Sequence, residues 1–418
     1  MDIKKYIQDI GKEAKKASYL MIKTGAKSKN SALKEIAGVL DVKRENILFE
    51  NRKDVEAGTK KGLSKAFIDR LTLTEERIDG MIKVLADVRA LKDPVGGITG
   101  MSVIENGLRI GKMRMPLGVV GFIFESRPNV CIEASALAIK SSNAIILRGG
   151  SDAANSNKAI IAAVKEGIKK AKLPENAVQL IENTDREAVN QLLKMKDHID
   201  VIIPRGGYDL IKAVEEKSMI PVIRHDAGIC HTYIHRDADI KKAVEIAYNA
   251  KVNRPGVCNA METMLVHGDI AKKFLPAAKE YFDKAKVELR GCEKTRAVLK
   301  DIKEAVEEDW KTEYLDLILS IKVTESMDEA ITHINTYGSH HSDAIVTESY
   351  EDGMRFINEV DSAACYINAS TRFTDGNVFG LGAEIGISNQ KLHVRGPMAL
   401  EGLTSEKFII LGNGQIRE

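Results

Sequence analysis

From residue 118 onward the sequence alternates short apolar runs with longer amphipathic ones, and this alternation constrains the fold most. VVGFIF is followed by EASALAIKSS, AIILR by NSNKAIIAAVKEGIKKA, AVQLI by EAVNQLLKM, and IDVIIP by YDLIKAVEEK. Strand and helix signals in strict succession argue an α/β fold with a doubly wound parallel sheet. A second set begins after residue 229, where CHTYI, METMLVH, DLILSIKV, DAIVT and ACYIN alternate with helical stretches. The chain of 418 residues is too long for one ordinary core, which agrees with two or three domains.

The remaining segments read differently. Residues 1 to about 90 place apolar side chains three and four apart, as in KYIQDIGKEAKKASYLMI, and predict helices. SVIENGLRIGKMRMPLG carries an Asn-Gly signal between roughly alternating residues and predicts a hairpin. A two-stranded hairpin is not stable alone, so it must pack on other parts of the protein or on another subunit. The tail, KFIILGNGQIRE, predicts a terminal strand.

Charge and cysteine content exclude several function classes. Lys and Arg number 62 against 60 Asp and Glu, so the balance as a whole points to neither nucleic acid nor membrane. The first eighteen residues are charged from the second position and lack the apolar core of a secretory signal. Five cysteines, Cys131, Cys230, Cys258, Cys292 and Cys365, are odd in number and widely spaced with no CxxC, so neither a zinc site nor a disulfide framework is suggested, and no metal is expected. A reduced, cytoplasmic setting is the expectation.

Two glycine turns follow strand signals. LRGGSDAANSN follows AIIL, and PRGGYDLIK follows DVII and opens a helix. Glycine lets backbone approach a ligand, and a helix N-terminus favours phosphate. Arg148 and Arg205 add positive charge there. Neither turn is a GxGxxG fingerprint, and tight turns without a ligand use the same residues. An arginine in place of an early ribose-binding acid suits the 2′-phosphate of NADP.

The stretch VNRPGVCNA sets Cys258 in a connection between a helical run and a strand. A thiolate there could attack an aldehyde or an activated acyl group, with Arg254 favouring the thiolate and the Cys258 amide serving as an oxyanion donor. Free cysteine is also among the most buried residue types, so a structural thiol stands beside this reading. The other four cysteines lie in strand-like, helical or polar-turn positions and are expected to be structural.

Taken together, PLGVVGFIFESRP, IKSSNAIILRGGS, IPRGG, NRPGVCNA, FGLGAEIGIS and RGPMALEGLT resemble segments of the aldehyde dehydrogenase superfamily, most closely its branch acting on an acyl phosphate. They occur in order from about residue 115 to the C-terminus. The resemblance implies a Rossmann-type NADP-binding domain (1–101 and 116–229), an α/β catalytic domain (230–394) and a small β oligomerisation arm (102–115 and 395–418). It implies NADPH-dependent reduction of L-glutamyl 5-phosphate to L-glutamate 5-semialdehyde and phosphate through a cysteine thioester, the second step of proline biosynthesis. The implied partners are a small-molecule substrate, further copies of the chain in a homo-oligomer, and functional coupling to glutamate 5-kinase.

The expected site follows residue by residue. Cys258, Asn129 and Arg127 are the catalytic candidates. Lys140, Arg148, Gly149, Ser151, Arg205, Gly206, Gly207 and Glu313 are the cofactor candidates, with Glu313 in TEYL expected at the nicotinamide-side ribose. Arg254 and Arg372 are the substrate candidates, because a guanidinium matches a carboxylate bidentately. Two departures from the wider family matter. RHDAGIC stands where hydrolytic members carry a Glu-Leu-Gly-Gly pattern, with His225 near the place of the glutamate base. Arg127 falls where an oxyanion asparagine is expected, with Asn129 close by. Loss of the glutamate disfavours hydrolysis and favours phosphate as the exchanging group, for which Arg127 is a suitable cation; Asp226 remains an alternative base. A hydrolytic dehydrogenase and a nucleotide-binding protein with an inert cysteine are the competing readings.

Overall fold

The computed structural model describes residues 2–224 and 227–417. The chain divides into two compact units. Unit 1 comprises residues 1–224, 380–386 and 398–418, and unit 2 comprises residues 225–379 and 387–397.

Unit 1 opens with five helices, α1 (Ile3–Met21), α2 (Ala26–Val42), α3 (Arg44–Lys60), α4 (Lys65–Leu71) and α5 (Glu75–Ala90). Their starts are capped as their sequences suggest. Asp2 accepts from the Lys4 and Lys5 amides, Ser64 from Phe67 and Thr74 from Arg77, which satisfies donors that a helix cannot pair internally. The buried positions of α2, at Ala32, Leu33, Ile36, Val39 and Leu40, keep the three-and-four spacing of one packed face.

The hairpin follows as strands β1 (Ile98–Val103) and β2 (Arg109–Pro116), somewhat longer than the sequence suggested. They pair antiparallel, and Gly107 turns the chain at φ +83°, a conformation that glycine adopts without strain. Then come β3 (Val119–Phe124), α6 (Val130–Lys140), β4 (Ala144–Arg148), α7 (Ala154–Lys170), β5 (Val178–Leu180), α8 (Arg186–Leu192), β6 (Val201–Arg205) and α9 (Tyr208–Lys217). The sheet order is β5-β4-β3-β6 with every neighbour parallel. The chain steps outward from β3 to β5 and then returns to the far side of β3. The topological switch point therefore lies at the carboxyl ends of β3 and β6.

Unit 2 contains β7 (Cys230–Ile234), α10 (Ile240–Val252), β8 (Met261–His267), α11 (Gly268–Lys284), β9 (Glu288–Gly291), α12 (Glu293–Val298), β10 (Lys303–Glu304), β11 (Ile318–Thr324), α13 (Met327–Tyr337), β12 (Ser342–Val346), α14 (Tyr350–Glu359) and β13 (Ala364–Ile367). Its seven strands run in the order β10-β9-β11-β8-β7-β12-β13, all parallel. The central strands β7, β8 and β12 are buried at every position, as a sheet covered on both faces requires. The short strands β9 and β10 carry too few apolar residues to be legible beforehand.

After two short strands, β14 (Gly386–Ser388) and β15 (Gly396–Met398), the chain ends in β16 (Thr404–Leu411). β16 pairs antiparallel with β2 along its whole length, from Thr404 opposite Pro116 to Leu411 opposite Arg109. That pairing gives the hairpin its third strand. Among the described residues no helix is long and apolar enough to cross a membrane.

One close approach limits unit 1. A Cβ on Gly167 in α7 would lie 2.6 Å from the backbone nitrogen and Cα of Ile36 in α2. Backbone cannot rotate away as a side chain can. Gly167→Ala is expected to lower stability by about 1–3 kcal/mol through overpacking, read as a fall in the urea unfolding midpoint.

Candidate active site

Cys258 sits in unit 2, in the connection between α10 and β8, at the amino end of the central strands. It is half-buried, whereas Cys131 and Cys230 are fully buried. The segment before β7 runs directly against it. A Cβ on Gly228 would come within 2.0 Å of the Cys258 carbonyl oxygen and 2.4 Å of its Cα, so only glycine fits. From the other side Cys230 Sγ donates to the Cys258 carbonyl at 3.2 Å. The nucleophile candidate is held by its backbone, and the residue as a whole is half-buried.

The next residue, Asn259, is buried and staples the loop to the segment 370–374. Its Nδ2 donates to the Thr374 carbonyl at 2.8 Å, its own carbonyl accepts from Thr371 Oγ1 at 2.7 Å, and its Oδ1 accepts from Arg372 Nη1. Arg372 is thereby fixed beside the cysteine loop. Burial pulls its pKa down, Arg254 pulls it further, and the charge of Cys258 opposes the shift. Its Nε is buried with no hydrogen-bond partner among the described residues. Two guanidiniums, one partly buried with a donor to spare and one exposed, thus share the surroundings of the thiol. An anionic substrate relieves both their mutual repulsion and the unpaired donor.

Glu313 also belongs to this neighbourhood. Its Oε1 accepts from the Gly228 amide at 2.9 Å, and burial raises its pKa. Glu313 therefore braces the glycine segment that packs on Cys258, a role the sequence did not suggest.

The other candidates lie in unit 1. Arg127 is exposed in the turn after β3, and Asn129 precedes α6 with its Nδ2 donating to Glu133 at 2.9 Å. Arg148, Gly149 and Ser151 follow β4. Gly149 is required by packing, since a Cβ there would meet Asn157 Nδ2 at 2.2 Å and Phe124 at 2.9 Å. A cleft of about 210 Å³ opens beside this turn, lined by Gly149, Gly150, Asn155, Lys158, Glu182 and Thr184 among others. Arg148 donates to the carbonyls of Gly149 and Thr184, and its buried Nε has no partner among the described residues.

Both helix N-termini expected to greet a phosphate already hold a carboxylate. Asp54 of α3 accepts from the Asn155 and Ser156 amides and from the Ser156 hydroxyl at the start of α7. Glu125, directly after β3, accepts from the Gly207 amide at 2.9 Å at the start of α9. A Cβ on Gly206 would lie 2.7 Å from that same carboxylate. Arg205 and the two glycines accordingly stand at the switch point, and their nearest charge is an acid.

Lys140 departs from expectation. It is 1% exposed, with Nζ donating to Asn30 Oδ1 at 2.7 Å and the Arg89 carbonyl at 2.9 Å. Its donors tie α6 to the N-terminal helices, and a cofactor has no access to them. His225 and Asp226, considered as bases, lie outside the described residues.

Asp54, Glu125, Gly228 and Asn259 escaped the sequence reading because each acts through a partner distant in the chain. The one available signal was Asn259 itself, an amide beside a cysteine in a turn.

The pattern of the aldehyde dehydrogenase family matches residues 3–297. The gamma-glutamyl phosphate reductase of Persephonella marina is 54% identical over 425 residues, covering 100% of this chain and 96% of the relative. That of Thermodesulfovibrio yellowstonii is 52% identical over 418 residues, covering both chains fully. The crystal structure of the gamma-glutamyl phosphate reductase of Thermotoga maritima matches with a TM-score of 0.97 and 49% identity, covering 99% of this chain and 100% of that one.

The thiols should separate sharply in reactivity. Burial pushes Cys365 up to about 11 and raises Cys131 and Cys230 further. Near neutral pH each is almost wholly the unreactive thiol. Iodoacetamide followed by peptide mass spectrometry is expected to label Cys258 first and to leave Cys131 and Cys230 unlabelled until the protein unfolds. Gly228→Ala is expected to slow Cys258 labelling by about tenfold or more, because the loop must move to admit the methyl group.

Proposed function

The chain belongs to the aldehyde dehydrogenase family, and from that premise we propose that it reduces L-glutamyl 5-phosphate to L-glutamate 5-semialdehyde with NADPH, through a thioester on Cys258. The observation that carries this reading is the half-buried Cys258 with Arg372 and Arg254 in its surroundings. An acyl phosphate bearing a carboxylate supplies anions for two such cations. The full-length similarity to relatives named for this reaction supports the same choice.

The chemistry asks little more of the chain than attack and collapse. Cys258 thiolate forms a bond to the acyl carbon, and the bond from that carbon to the phosphate oxygen breaks, releasing inorganic phosphate. NADPH, when bound, supplies the hydride that takes the thioester to the thiohemiacetal level. Breakage of the carbon–sulfur bond then frees the aldehyde and returns the thiolate. The Cys258 amide is the proposed oxyanion donor, with Asn129 as a second polar candidate. Arg372 is assigned to the substrate carboxylate, Arg254 to general anion attraction, and Arg127 to the departing phosphate.

The turn after β4 suits the cofactor. Gly150 leaves the backbone open, the cleft beside the turn is polar, and Arg148 provides positive charge without an acid at the Ser151 position, while Lys158 in the same cleft is paired with Glu182 at 2.8 Å. That set favours NADP over NAD. Arg205, Gly206 and Gly207 are assigned to the phosphate side, where Glu125 would have to give way. Glu313 is kept as a ribose-side candidate only if it releases Gly228.

A homo-oligomer fits the surface, and a cytoplasmic location fits a biosynthetic reaction of this kind. The β1-β2-β16 sheet exposes Ile98, Met101, Val103, Phe408, Ile410 and Leu411, a density of apolar side chains that a further copy of the chain would cover. Coupling to glutamate 5-kinase follows from the lability of the acyl phosphate.

Mixing the protein with glutamate-5-semialdehyde and NADP is expected to produce reduced cofactor only when inorganic phosphate is present. Reduction without phosphate would instead indicate hydrolysis of the thioester. Cys258→Ala is expected to abolish turnover in both directions. Arg372→Lys is expected to raise KM for the semialdehyde by about tenfold with a smaller change in kcat, since a point charge replaces a bidentate fork.

A further inference from the structure

Lys251 and Glu262 flank the cysteine loop and take no part in the chemistry assigned above. Lys251 lies in the last turn of α10, and Glu262 is the second residue of β8. Their side chains are both 0% exposed and meet at 2.5 Å. Burying two such ions costs several kcal/mol each, and an apolar pair of similar volume often stabilises a fold equally well. Stability alone is therefore a poor reason for placing charges here. Direction is a better one, because an ion pair fixes the two ends it joins in a way that methyl groups do not.

The contacts around the pair form a closed circuit through the nucleophile. Glu262 Oε2 holds Lys251, while Oε1 accepts from the Leu315 amide at 3.3 Å. Leu315 is held in the left-handed region at φ +54°, a conformation that a branched residue adopts only when its surroundings impose it. Two residues earlier, Glu313 accepts from the Gly228 amide, and Gly228 packs on the backbone of Cys258. The loop from Lys251 to Glu262 is thus tied at its base by the pair and pressed at its tip by the segment that the pair anchors. The Lys251 ammonium also lies 5.9 Å from the centre of the Tyr314 ring, within the same segment.

We propose that Lys251 and Glu262 are positioning residues that lock the base of the Cys258 loop and so hold the thiol in attacking geometry; this rests on Cys258 being the nucleophile. They touch neither substrate nor cofactor.

The test uses the full-length protein and three variants, Lys251→Met, Glu262→Gln and the double Lys251→Met/Glu262→Met. Three quantities are read: the iodoacetamide rate constant at Cys258, kcat and KM in the phosphate-dependent reaction, and the thermal midpoint. The single variants are expected to slow Cys258 alkylation and kcat by about 10- to 100-fold, with KM changed by less than about threefold. The double variant leaves no unpaired buried charge, so its midpoint should return towards the wild-type value while alkylation and kcat stay low. Recovery of all three in the double variant would overturn the proposal, since the pair would then be filling space only. Should Lys251→Met or the double variant fail to fold, Glu262→Gln decides alone: it keeps size but replaces one acceptor oxygen by an amide donor, so either the Lys251 or the Leu315 contact is lost, and unchanged alkylation with unchanged kcat overturns the proposal. Alkylation needs no assumption about substrate, so the two readings fail differently. A fully active Cys258→Ala variant overturns the functional reading and this one together, whereas undisturbed Cys258 reactivity in the pair variants overturns this one only.

Discussion

Parallel strands cannot be joined by two-residue turns, and both larger sheets of this chain are parallel. Each strand must be followed by a crossover, and the crossovers cover the faces with helices. Chemistry is then left to the strand ends. Unit 1 presents its glycine turns at the carboxyl ends of β4 and β6, where open α/β sheets ordinarily bind ligands. Unit 2 departs from that habit. Its candidate nucleophile enters β8 from the amino end, beside the starts of β7 and β12.

Such a position leaves the cysteine without the backbone cradle of a strand-to-helix turn, and side chains take over the task. Asn259 fastens the loop to the segment bearing Arg372, Glu313 pulls the Gly228 segment onto Cys258, and the Lys251–Glu262 pair closes the base. Unit 1 uses the same device at its turns. Asp54 caps α7 just beyond RGGS, and Glu125 caps α9 at PRGG. Asp54 and the Lys251–Glu262 pair are buried charges at the ends of loops, where hydrogen bonds offset their desolvation.

Most of the fold was legible beforehand. Apolar runs such as METMLVH and DAIVT are unmistakable because a strand covered on both faces needs no polar alternation, and the N-terminal helices declare themselves by spacing and caps. The Asn-Gly hairpin and the terminal strand were each visible, and the family resemblance joined them in one arm; the register of their pairing was not legible. The cysteine loop stood out by its composition. A lysine at the end of an apolar helix looks the same in sequence whether its amine reaches solvent or an interior partner, and Lys140 reaches Asn30 and the Arg89 carbonyl. Glu262 was overlooked although a carboxylate inside METMLVH is itself a signal of a buried cation nearby.

The sequence by itself determined the periodicities: which runs become strands, which become helices, where glycine and proline interrupt them, and which cysteine lies in a connection. These depend on local sterics and on the burial of apolar side chains, both readable over a few residues. Only the tertiary structure decided the partners of the buried charges, the closeness of Gly228 to Cys258, and the occupation of both helix N-termini by carboxylates. Those contacts join residues from 11 to 110 positions apart, and no local rule records which distant chain segment the packing will bring alongside.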